Sequence, residues 1–415
     1  MKKIAIIVQR YGIEVNGGAE FHARILAEKL SKNYDITILT TTALDYQGWA
    51  NHYAEGHTEV NGLKVIRFST EIFSKKKMRK ARRAIFKKKK YFKIIRFLGL
   101  FDLLDKKFNI STVTKEDEDN WLKGQGPFCP DLLSFLRKNK EEYDVFIFFT
   151  YLYYPTVMGL PIVNEKAIFI PTAHDEPPLY TKPYENLFSQ PKFIMYNTQS
   201  EKELVENHFK EYCQNTDIAG VGIEEFVLDE TYCPAKEFQY DFPYFVYIGR
   251  IDRNKGCREL VEYFNLFCKE NPSTKLVMIG KNNMDIIPNK NIILTGFINE
   301  EDKYYLLKNS LGLILPSKYE SLSMVTLEAM ACGKIPLVNA DCIVLKQHIL
   351  NSGTGFYFRN YMEFKKYLNK IINLSEEERE EYSLQAKRYV KENYSWSSIL
   401  NKFDQAIDFV TKNKK

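Results

Sequence analysis

The sequence predicts an α/β protein built from two doubly wound domains. Its 415 residues are enough for two domains with separate hydrophobic cores. The chain opens with an apolar strand, Lys3–Val8, followed by a helical pattern and a second strand, Tyr34–Thr40. A new strand–loop–helix pattern begins at Tyr244, after a polar, irregular linker over Glu224–Phe242. Because a strand–helix–strand unit places its strands parallel, we expect a parallel sheet in each half.

The domain boundaries follow from where this α/β pattern is interrupted. We place the first domain at residues 1–235 and the second at residues 240–395. A basic segment at about 71–120 interrupts the first domain as an insertion. The last helix, at about 396–415, could pack back on the first domain.

Short apolar runs mark the strands, and apolar residues three or four positions apart mark the helices. In the first half we predict strands at Lys3–Val8, Tyr34–Thr40, Asn61–Phe68, Val145–Phe149, Ala167–Pro171, Phe193–Tyr196 and Ile218–Ile223. Helices are predicted in this half around Phe21–Leu30, at Leu132–Asn139, and from Ser200 to Phe209, where Ser200 and Glu203 resemble a capping box.

The second half repeats the pattern and ends in helices. Its strands are predicted at Phe245–Ile248, Lys275–Ile279, Ile292–Thr295, Leu311–Leu315 and Ile335–Val338. Its helices are predicted at Arg258–Asn271, Asn299–Asn309, within Lys318–Gly333, and at Met362–Asn373, Glu376–Asn393 and Trp396–Val410.

Composition points to a globular protein of a reducing compartment. The chain is 45% apolar and 27% charged, which argues against a disordered or fibrous protein. Its seven cysteines include no C-x-x-C pair, so we expect neither a disulfide framework nor a structural zinc site. The long apolar stretch Val145–Val163 contains two prolines, and we interpret it as a strand, a loop and a helix start rather than a membrane span. We therefore expect a cytoplasmic protein without a signal peptide.

Positive charge is concentrated in one segment. Lys75–Arg96 contains thirteen Lys or Arg and no acid, whereas the whole chain has a net charge of only +6. Apolar residues are interleaved with these charges, as in amphipathic helices on an anionic membrane surface. An exposed, solvated helical insertion explains the segment equally well. No recognised nucleic-acid-binding fold accompanies it, so nucleic acid is not an expected partner.

The segment Lys318–Gly333 carries the main candidate site. It follows a buried strand, and Ser321 or Ser323 could cap the helix that it begins. A helix start is an anion site, typically for phosphate. Glu320 and Glu328 are a little over two helical turns apart and could face one cleft. These features suggest a nucleotide-sugar site, although the spacing alone favours a solvated acid followed by a capped helix.

Further candidates follow other predicted strands. Arg250 and Lys255 bracket one loop, where two cations would suit a diphosphate, although surface charge would explain either one alone. Gly17 and Gly18 would let the backbone approach a ligand, although a tight turn explains them as well. His174, followed by an aspartate, ends a parallel strand where α/β ligand sites form, and a structural role is equally open.

Together these residues resemble the retaining glycosyltransferases of family 4, whose GT-B architecture has two facing doubly wound domains with a cleft between them. The resemblance spans most of the chain except the basic insertion. It rests on Gly249-Arg250 with Lys255-Gly256, on Glu320 and Glu328 in an E-x7-E pattern ending E-A-M-A-C-G, on Asn16-Gly17-Gly18-Ala19-Glu20, and on His174-Asp175.

The resemblance implies a role for each candidate in the second domain. Arg250 and Lys255 would neutralise the donor diphosphate, and Glu328 would hold the nucleotide ribose. Glu320 would contact sugar hydroxyls near the reacting carbon, and Phe297 would lie near the base. The backbone N–H groups that would meet phosphate or sugar at the helix start are those of Ser323, Met324 and Val325.

In the first domain, Gly17 and Gly18 would approach the diphosphate, and His174 would bond a sugar hydroxyl. The family needs no metal, and its only small-molecule requirement is the nucleotide-sugar donor. This chain departs from the family at Ser321–Ser323, where glycines and an aromatic residue are common. Serine restricts the backbone more than glycine, so the fine sugar contacts are expected to differ.

The implied activity is retaining transfer of a sugar from a nucleotide-diphosphate sugar to a glycan or lipid-linked glycan, in the synthesis of a cell-surface polysaccharide. The enzyme would be cytoplasmic, with a possible peripheral position at the inner face of the membrane through residues 75–96. Two alternatives stay open: a GT-B-fold nucleotide-sugar epimerase, and a non-catalytic GT-B partner subunit of another glycosyltransferase.

Overall fold

A computed structural model describes residues 1–15, 17–46, 48–97, 113–209, 211–224, 229 and 231–412, with the backbone only at 87–97. The chain divides into two compact units. Unit 1 comprises Met1–Ala219 and Leu400–Lys415, and unit 2 comprises Gly220–Ile399. The division therefore falls at 219/220 and 399/400, whereas the sequence placed it near 235–240 and 395.

Unit 1 contains an eight-stranded sheet in the order β3-β4-β2-β1-β5-β6-β7-β8. Its strands are β1 Lys3–Ile7, β2 Asp35–Thr41, β3 Gly56–Val60, β4 Leu63–Phe68, β5 Val145–Phe149, β6 Ala167–Ile170, β7 Phe193–Tyr196 and β8 Thr216–Ile218. Neighbouring strands are parallel except β3, which forms an antiparallel hairpin with β4. Asn61 and Gly62 both have positive φ at this turn, as a two-residue hairpin requires.

The described α-helices whose residues begin in unit 1 are α1 Gly18–Leu30, α2 Lys75–Phe97, α3 Lys115–Gln125, α4 Pro130–Asn139, α5 Tyr154–Gly159 and α6 Gln199–His208. Helix α6 begins one residue earlier than predicted. Its cap is Thr198, whose hydroxyl accepts a hydrogen bond from Glu201 N at 3.1 Å, so the predicted capping box at Ser200 is wrong. Thr198 has extended backbone angles, which an N-cap residue requires, and Ser200 is already helical.

Helix α2 shows how the basic segment is built. Its buried side chains Ala81 and Ile85 pack into the unit 1 core with Trp121 and Leu122 of α3, and Phe86 packs against the same core. This part of the apolar face is therefore covered by the protein itself. The remaining apolar residues of the predicted amphipathic pair, at 91–101, lie outside the described side chains.

Unit 2 contains a six-stranded sheet in the order β11-β10-β9-β12-β13-β14, with every pairing parallel. Its strands are β9 Tyr244–Ile248, β10 Lys275–Ile279, β11 Ile292–Gly296, β12 Gly312–Leu315, β13 Ile335–Asn339 and β14 Phe356–Phe358. Each of the four strands β9, β10, β12 and β13 is almost wholly buried, as the apolar runs predicted.

The remaining helices are α7 Cys257–Phe267, α8 Glu300–Asn309, α9 Met324–Ala331, α10 Ile343–Ser352, α11 Tyr361–Ile372, α12 Glu376–Asn393 and α13 Trp396–Lys412. Helix α10 and strand β14 were not predicted. Two sheets, one wholly parallel and one parallel except at β3, with helical connections, confirm the predicted α/β class of two doubly wound units. Within the described part of the chain, no helix combines the length and apolarity that crossing a bilayer requires.

Candidate active site

The predicted donor-binding residues of unit 2 lie beyond the carboxyl ends of its parallel strands. Strands β9 and β12 are parallel neighbours, so the residues that follow them emerge at the same edge. Arg250 and Lys255 follow β9, and Glu320 follows β12. Ligand sites of doubly wound sheets form at this carboxyl edge.

Glycines allow the loops at this edge to approach each other. A Cβ atom on Gly280 would lie 2.0 Å from the carbonyl oxygen of Gly249, and both glycines have φ values near +140°. Gly256, with φ +74°, brings the loop after β9 against the loop after β12, since a Cβ there would lie 2.7 Å from Pro316 O. Only glycine meets both requirements, positive φ and missing side chain, without strain.

Glu320 and Lys255 form an ion pair. Lys255 Nζ donates to Glu320 Oε1 at 2.6 Å, and the side chain of Lys255 is 26% exposed whereas that of Glu320 is 14% exposed. The Lys255 backbone N–H donates to Asp252 Oδ1 at 2.9 Å, and Asp252 Oδ2 lies 3.7 Å from Arg250 Nε. The structure thus brings three predicted charged groups into one network, with Asp252 as a member that the sequence reasoning missed.

The start of helix α9 presents backbone donors. Ser323 is the N-cap residue, with φ +62° and ψ +71°, and its side chain makes no capping bond to the helix backbone. Its hydroxyl instead lies 2.9 Å from Thr326 Oγ1. The expectation that serine caps this helix is therefore wrong at Ser323, because the left-handed backbone turns its hydroxyl toward Thr326. Within the described residues, the N–H groups of Ser323, Met324 and Val325 donate neither to a backbone carbonyl nor to an N-cap side chain.

Those N–H groups sit at the positive end of the helix dipole. They follow Glu320 by only three to five residues, so its carboxylate lies in the loop that leads directly into this helix start.

Glu328 lies on α9 and is held by a lysine that the sequence reasoning missed. Lys303 Nζ, from α8, is 3.3 Å from Glu328 Oε2 and 2.6 Å from Glu300 Oε2. The Lys303 and Glu328 side chains are only 11% and 9% exposed, whereas Glu300 is 55% exposed. Burial alone would lower the pKa of Lys303. The attraction of the Glu328 and Glu300 carboxylates outweighs this effect of burial, so the pKa of Lys303 is raised overall. The i,i+3 spacing of Glu300 and Lys303 on a predicted helix is the sequence feature that could have indicated an ion pair at Lys303.

Phe297 follows β11, which is an outermost strand of the same sheet, and 69% of the surface of Phe297 is exposed. An exposed aromatic ring at a ligand-binding edge is a suitable surface for stacking.

In unit 1, the predicted glycines lie at the start of α1. Gly18 is the first helical residue, and a Cβ there would meet open space. Gly17 is the N-cap with extended φ, and a Cβ there would lie 2.1 Å from Glu20 Oε2. Glu20 is buried and accepts from Arg10 Nε at 2.9 Å, a buried ion pair that was not predicted. Asn16 of the same motif lies outside the described residues.

His174 lies at the carboxyl end of β6, as predicted. Its Nε2 is 3.4 Å from Glu176 Oε1, its Nδ1 is 3.3 Å from Thr172 O, and its side chain is 31% exposed. Glu201 supports this turn, since its buried carboxylate accepts from Ala173 N at 2.5 Å. Burial raises the pKa of Glu201 to about 8. The neighbouring Thr172 has φ +50°, a strained angle that occurs often at functional sites.

The whole chain has the GT-B fold, the architecture of glycosyltransferases with two doubly wound domains. It aligns over 98% of its length with the trehalose-6-phosphate synthase OtsA, with a TM-score of 0.70 and 11% identity over 99% of that chain. The sucrose-phosphate synthase of Thermosynechococcus elongatus gives a TM-score of 0.65 and 14% identity, covering 98% of each chain. Anabaena HepE in complex with UDP and glucose gives a TM-score of 0.65 and 12% identity, and the alignment covers 98% of this chain and 100% of that one.

Residues 230–389 match the family model described as Glycosyl transferases group 1, so the sequence match lies in the part of the chain that holds Arg250, Lys255, Glu320 and Glu328.

Among curated proteins, this chain is similar to an uncharacterized glycosyltransferase of Methanocaldococcus jannaschii, with 27% identity over 181 residues, 40% of this chain and 44% of that protein. It is also similar to CapM of Staphylococcus aureus, a capsular polysaccharide biosynthesis glycosyltransferase, with 26% identity over 171 residues, 38% of this chain and 44% of the relative. The match spans less than half the length of these relatives.

Proposed function

We propose that the chain is a retaining glycosyltransferase of family 4 that moves a sugar from a nucleotide-diphosphate sugar to a glycan or lipid-linked glycan in polysaccharide biosynthesis. One observation carries this proposal: the loop that bears Glu320, paired with Lys255 at 2.6 Å, leads directly into a helix start whose first N–H groups donate to no backbone carbonyl and no N-cap side chain within the described residues. The similarity to CapM, a capsular polysaccharide biosynthesis glycosyltransferase, supports the polysaccharide context.

The proposed chemistry follows from where charge develops. The bond between the anomeric carbon and the diphosphate oxygen breaks, and its electron pair leaves with the diphosphate. Arg250, Lys255 and the α9 N–H groups stabilise that negative charge, which is usually the largest catalytic contribution. The acceptor oxygen bonds to the anomeric carbon, and its proton passes to a departing diphosphate oxygen. Attack on the face that the diphosphate leaves would retain the configuration.

The remaining residues would bind and orient the donor. Glu328 is proposed to accept from the ribose hydroxyls, with Lys303 holding its carboxylate in place. Glu320 would accept from sugar hydroxyls, and His174 is proposed to bond another. Phe297 would stack on the base, and the backbone at Gly17 and Gly18 would approach the diphosphate.

We propose that this reaction needs no metal. Cations are supplied to the diphosphate by Arg250 and Lys255, and the helix dipole adds a partial positive charge.

The test is a screen of nucleotide sugars, beginning with UDP-glucose, for thermal stabilisation and for release of nucleoside diphosphate in EDTA. A bound nucleotide sugar stabilises the fold by mass action, so the melting temperature should rise with its concentration. Analysis of the anomeric configuration of the product would then establish whether configuration is retained. Binding of nucleoside diphosphate without release or transfer of sugar would favour the partner-subunit alternative, and inversion at a ring carbon of the donor would favour an epimerase.

We also propose that the enzyme works in the cytoplasm, at the inner face of an anionic membrane. The exposed cations of α2 within the described side chains are Lys75, Lys76, Lys77, Arg79, Lys80, Arg82 and Arg83. None of them forms an ion pair with another described residue. Each cation near an anionic bilayer contributes about 1 kcal/mol of attraction. Because the inner face of this helix is packed against its own unit, the contact would be electrostatic over this part of the helix.

Two triple charge-reversal variants, one on α2 and one control on α12, test the membrane proposal. Lys76→Glu, Lys80→Glu and Arg83→Glu together should abolish sedimentation with phosphatidylserine vesicles at low salt. The matched control reverses three cations of α12 in unit 2, namely Lys387, Arg388 and Lys391, and so changes the net charge equally. Equal loss of binding in both triple variants would show a net-charge effect, and unchanged binding in the first would show a solvated insertion.

A further inference from the structure

The start of α9 holds an unfavourable backbone conformation. Ser323 has φ +62° and ψ +71°, in the left-handed region. A residue with a Cβ atom pays a steric penalty there and adopts it only when its surroundings hold it. Glycine would adopt the same angles freely. Some contact outside the loop must therefore keep Ser323 in this conformation.

His348 makes the contact that fits this requirement. This side chain projects from α10, is only 3% exposed, and its Nε2 lies 2.7 Å from the carbonyl oxygen of Leu322. Its Nδ1 lies 3.0 Å from the hydroxyl of Tyr389 on α12. A carbonyl oxygen can only accept, so Nε2 carries the proton and Nδ1 accepts from the tyrosine. Both ring nitrogens are thus used, and the ring is fixed between two helices and the loop.

The ring is neutral at physiological pH. Burial lowers the pKa of His348 to about 4, so the imidazole carries one proton and offers one donor. That donor is directed at the peptide group between Leu322 and Ser323. The rotation of this peptide group determines ψ of Leu322 and φ of Ser323, which is the strained angle.

A second contact fixes the other end of the same loop. The buried side chain of Asn339, at the end of β13, donates to Pro316 O at 3.0 Å. The loop between Pro316 and Leu322 carries Glu320, so its two ends are anchored by side chains from different elements of unit 2. The hydroxyl–hydroxyl contact of Ser323 with Thr326, at 2.9 Å, completes the turn.

We propose that His348 is a positioning residue, which holds Ser323 in the left-handed conformation through the Leu322 carbonyl and thereby aims Glu320 and the α9 N–H groups. The structural part of this inference stands on unit 2 alone. Its catalytic consequence rests on the proposed glycosyltransferase function. A histidine that only fills the core would have no energetic coupling to the residue type at position 323.

The test is a double-mutant cycle between positions 348 and 323. His348→Phe fills the site but removes the donor, and His348→Gln keeps an N–H donor for Leu322 O. Ser323→Gly relieves the strain, so the loop no longer needs the tether. We expect His348→Phe to speed hydrogen exchange of the Thr326 and Leu327 amides, which donate to Ser323 O, by about tenfold, the loss expected for one buried hydrogen bond. In the Ser323→Gly background the same substitution should change exchange by less than about twofold, while His348→Gln alone should stay close to wild type.

A turnover measurement gives the second readout. With UDP-glucose as donor, His348→Phe should lower kcat more than it raises KM, and adding Ser323→Gly should recover most of the loss relative to Ser323→Gly alone. Tyr389→Phe is the control, because it removes the contact at Nδ1 and leaves the Leu322 bond.

Equal effects of His348→Phe in the wild-type background and in the Ser323→Gly background would overturn the inference. If UDP-glucose gives no turnover with the wild-type protein, the exchange cycle still decides the positioning role, and that failure concerns the proposed function. If His348→Phe does not fold, His348→Gln and Tyr389→Phe decide the question. Both keep a donor for Leu322 O, so exchange of the Thr326 and Leu327 amides should stay close to wild type in each. Exchange faster by about tenfold in both variants would contradict the proposal.

Discussion

Lys303→Met should destabilise unit 2 through the charge that it leaves behind. Lys303 places its ammonium 3.3 Å from Glu328, and both side chains are about nine-tenths buried. Methionine is similar in length but cannot neutralise or hydrogen-bond the carboxylate. Removing one partner of a buried ion pair typically costs about 3–5 kcal/mol, mostly the cost of the uncompensated charge. The 4.5 Å contact of the ammonium with the Tyr304 ring would be lost as well.

The contrast with Glu300 sets the scale of the effect. Glu300 is closer to Lys303, at 2.6 Å, but its side chain is 55% exposed. An exposed ion pair contributes about 0–1 kcal/mol, so Glu300→Gln should cost far less than Lys303→Met despite the shorter distance. Adding Glu328→Gln to Lys303→Met removes the unpaired charge and should recover about half of the loss.

Hydrogen exchange of peptides from α8 and α9 is the suitable assay, because a chain with two units need not unfold in one step. The opening free energy should fall by about 3 kcal/mol in Lys303→Met. Affinity for UDP should fall in the same variant if Glu328 holds the ribose. An opening free energy unchanged in Lys303→Met, or a double variant less stable than Lys303→Met alone, would refute the reasoning.

Three further predictions follow from the same site. Glu320→Ala and Lys255→Ala should each abolish turnover while circular dichroism shows an intact fold, and full activity in both would contradict the site assignment. Gly256→Ala should lower the melting temperature, since its φ is +74° and its Cβ would lie 2.7 Å from Pro316 O; an unchanged melting curve would show that the loop adjusts. His348 has a pKa of about 4 in the folded state and about 6.5 in the unfolded state. Its contribution to the free energy of unfolding, up to about 3 kcal/mol, is therefore present above pH 6.5 and lost as the pH falls toward 4. The free energy of unfolding should therefore fall more between pH 6.5 and pH 4 in the wild type than in His348→Phe. The same fall in both proteins would exclude a contribution from His348.

The strands and most helices could be predicted from the sequence because their patterns are local. Strand β9 was predicted at Phe245–Ile248 and is observed at Tyr244–Ile248, since an uninterrupted apolar run can be buried on both faces of a parallel sheet. Helix α11 was predicted within one residue at each end, from its apolar spacing. Helix α10 was missed, because its hydrophobic residues are distributed around the helix without a clear apolar face.

The site could be predicted only in part, because contacts between distant residues decide its details. The sequence placed Lys255 and Glu320 at strand ends, and the structure joins them across 65 positions. Lys303 could not be connected with Glu328 without the packing of α8 against α9. His348 lies on the missed helix, and its bond to Leu322 depends on a tertiary contact. The predicted serine cap failed for a related reason: the backbone of Ser323 is set from outside the helix.

The two ion pairs of unit 2 have different chemical consequences. The Lys303–Glu328 pair is buried, and its lysine also pairs with Glu300. Lys255 is more exposed and pairs with Glu320 alone among carboxylates within 4.0 Å in the described chain. A diphosphate that approached Lys255 would compete with Glu320 for the same ammonium. Release of Glu320 would leave its carboxylate free to accept from the proposed donor sugar, which would couple diphosphate binding at the loop after β9 to sugar recognition at the loop after β12.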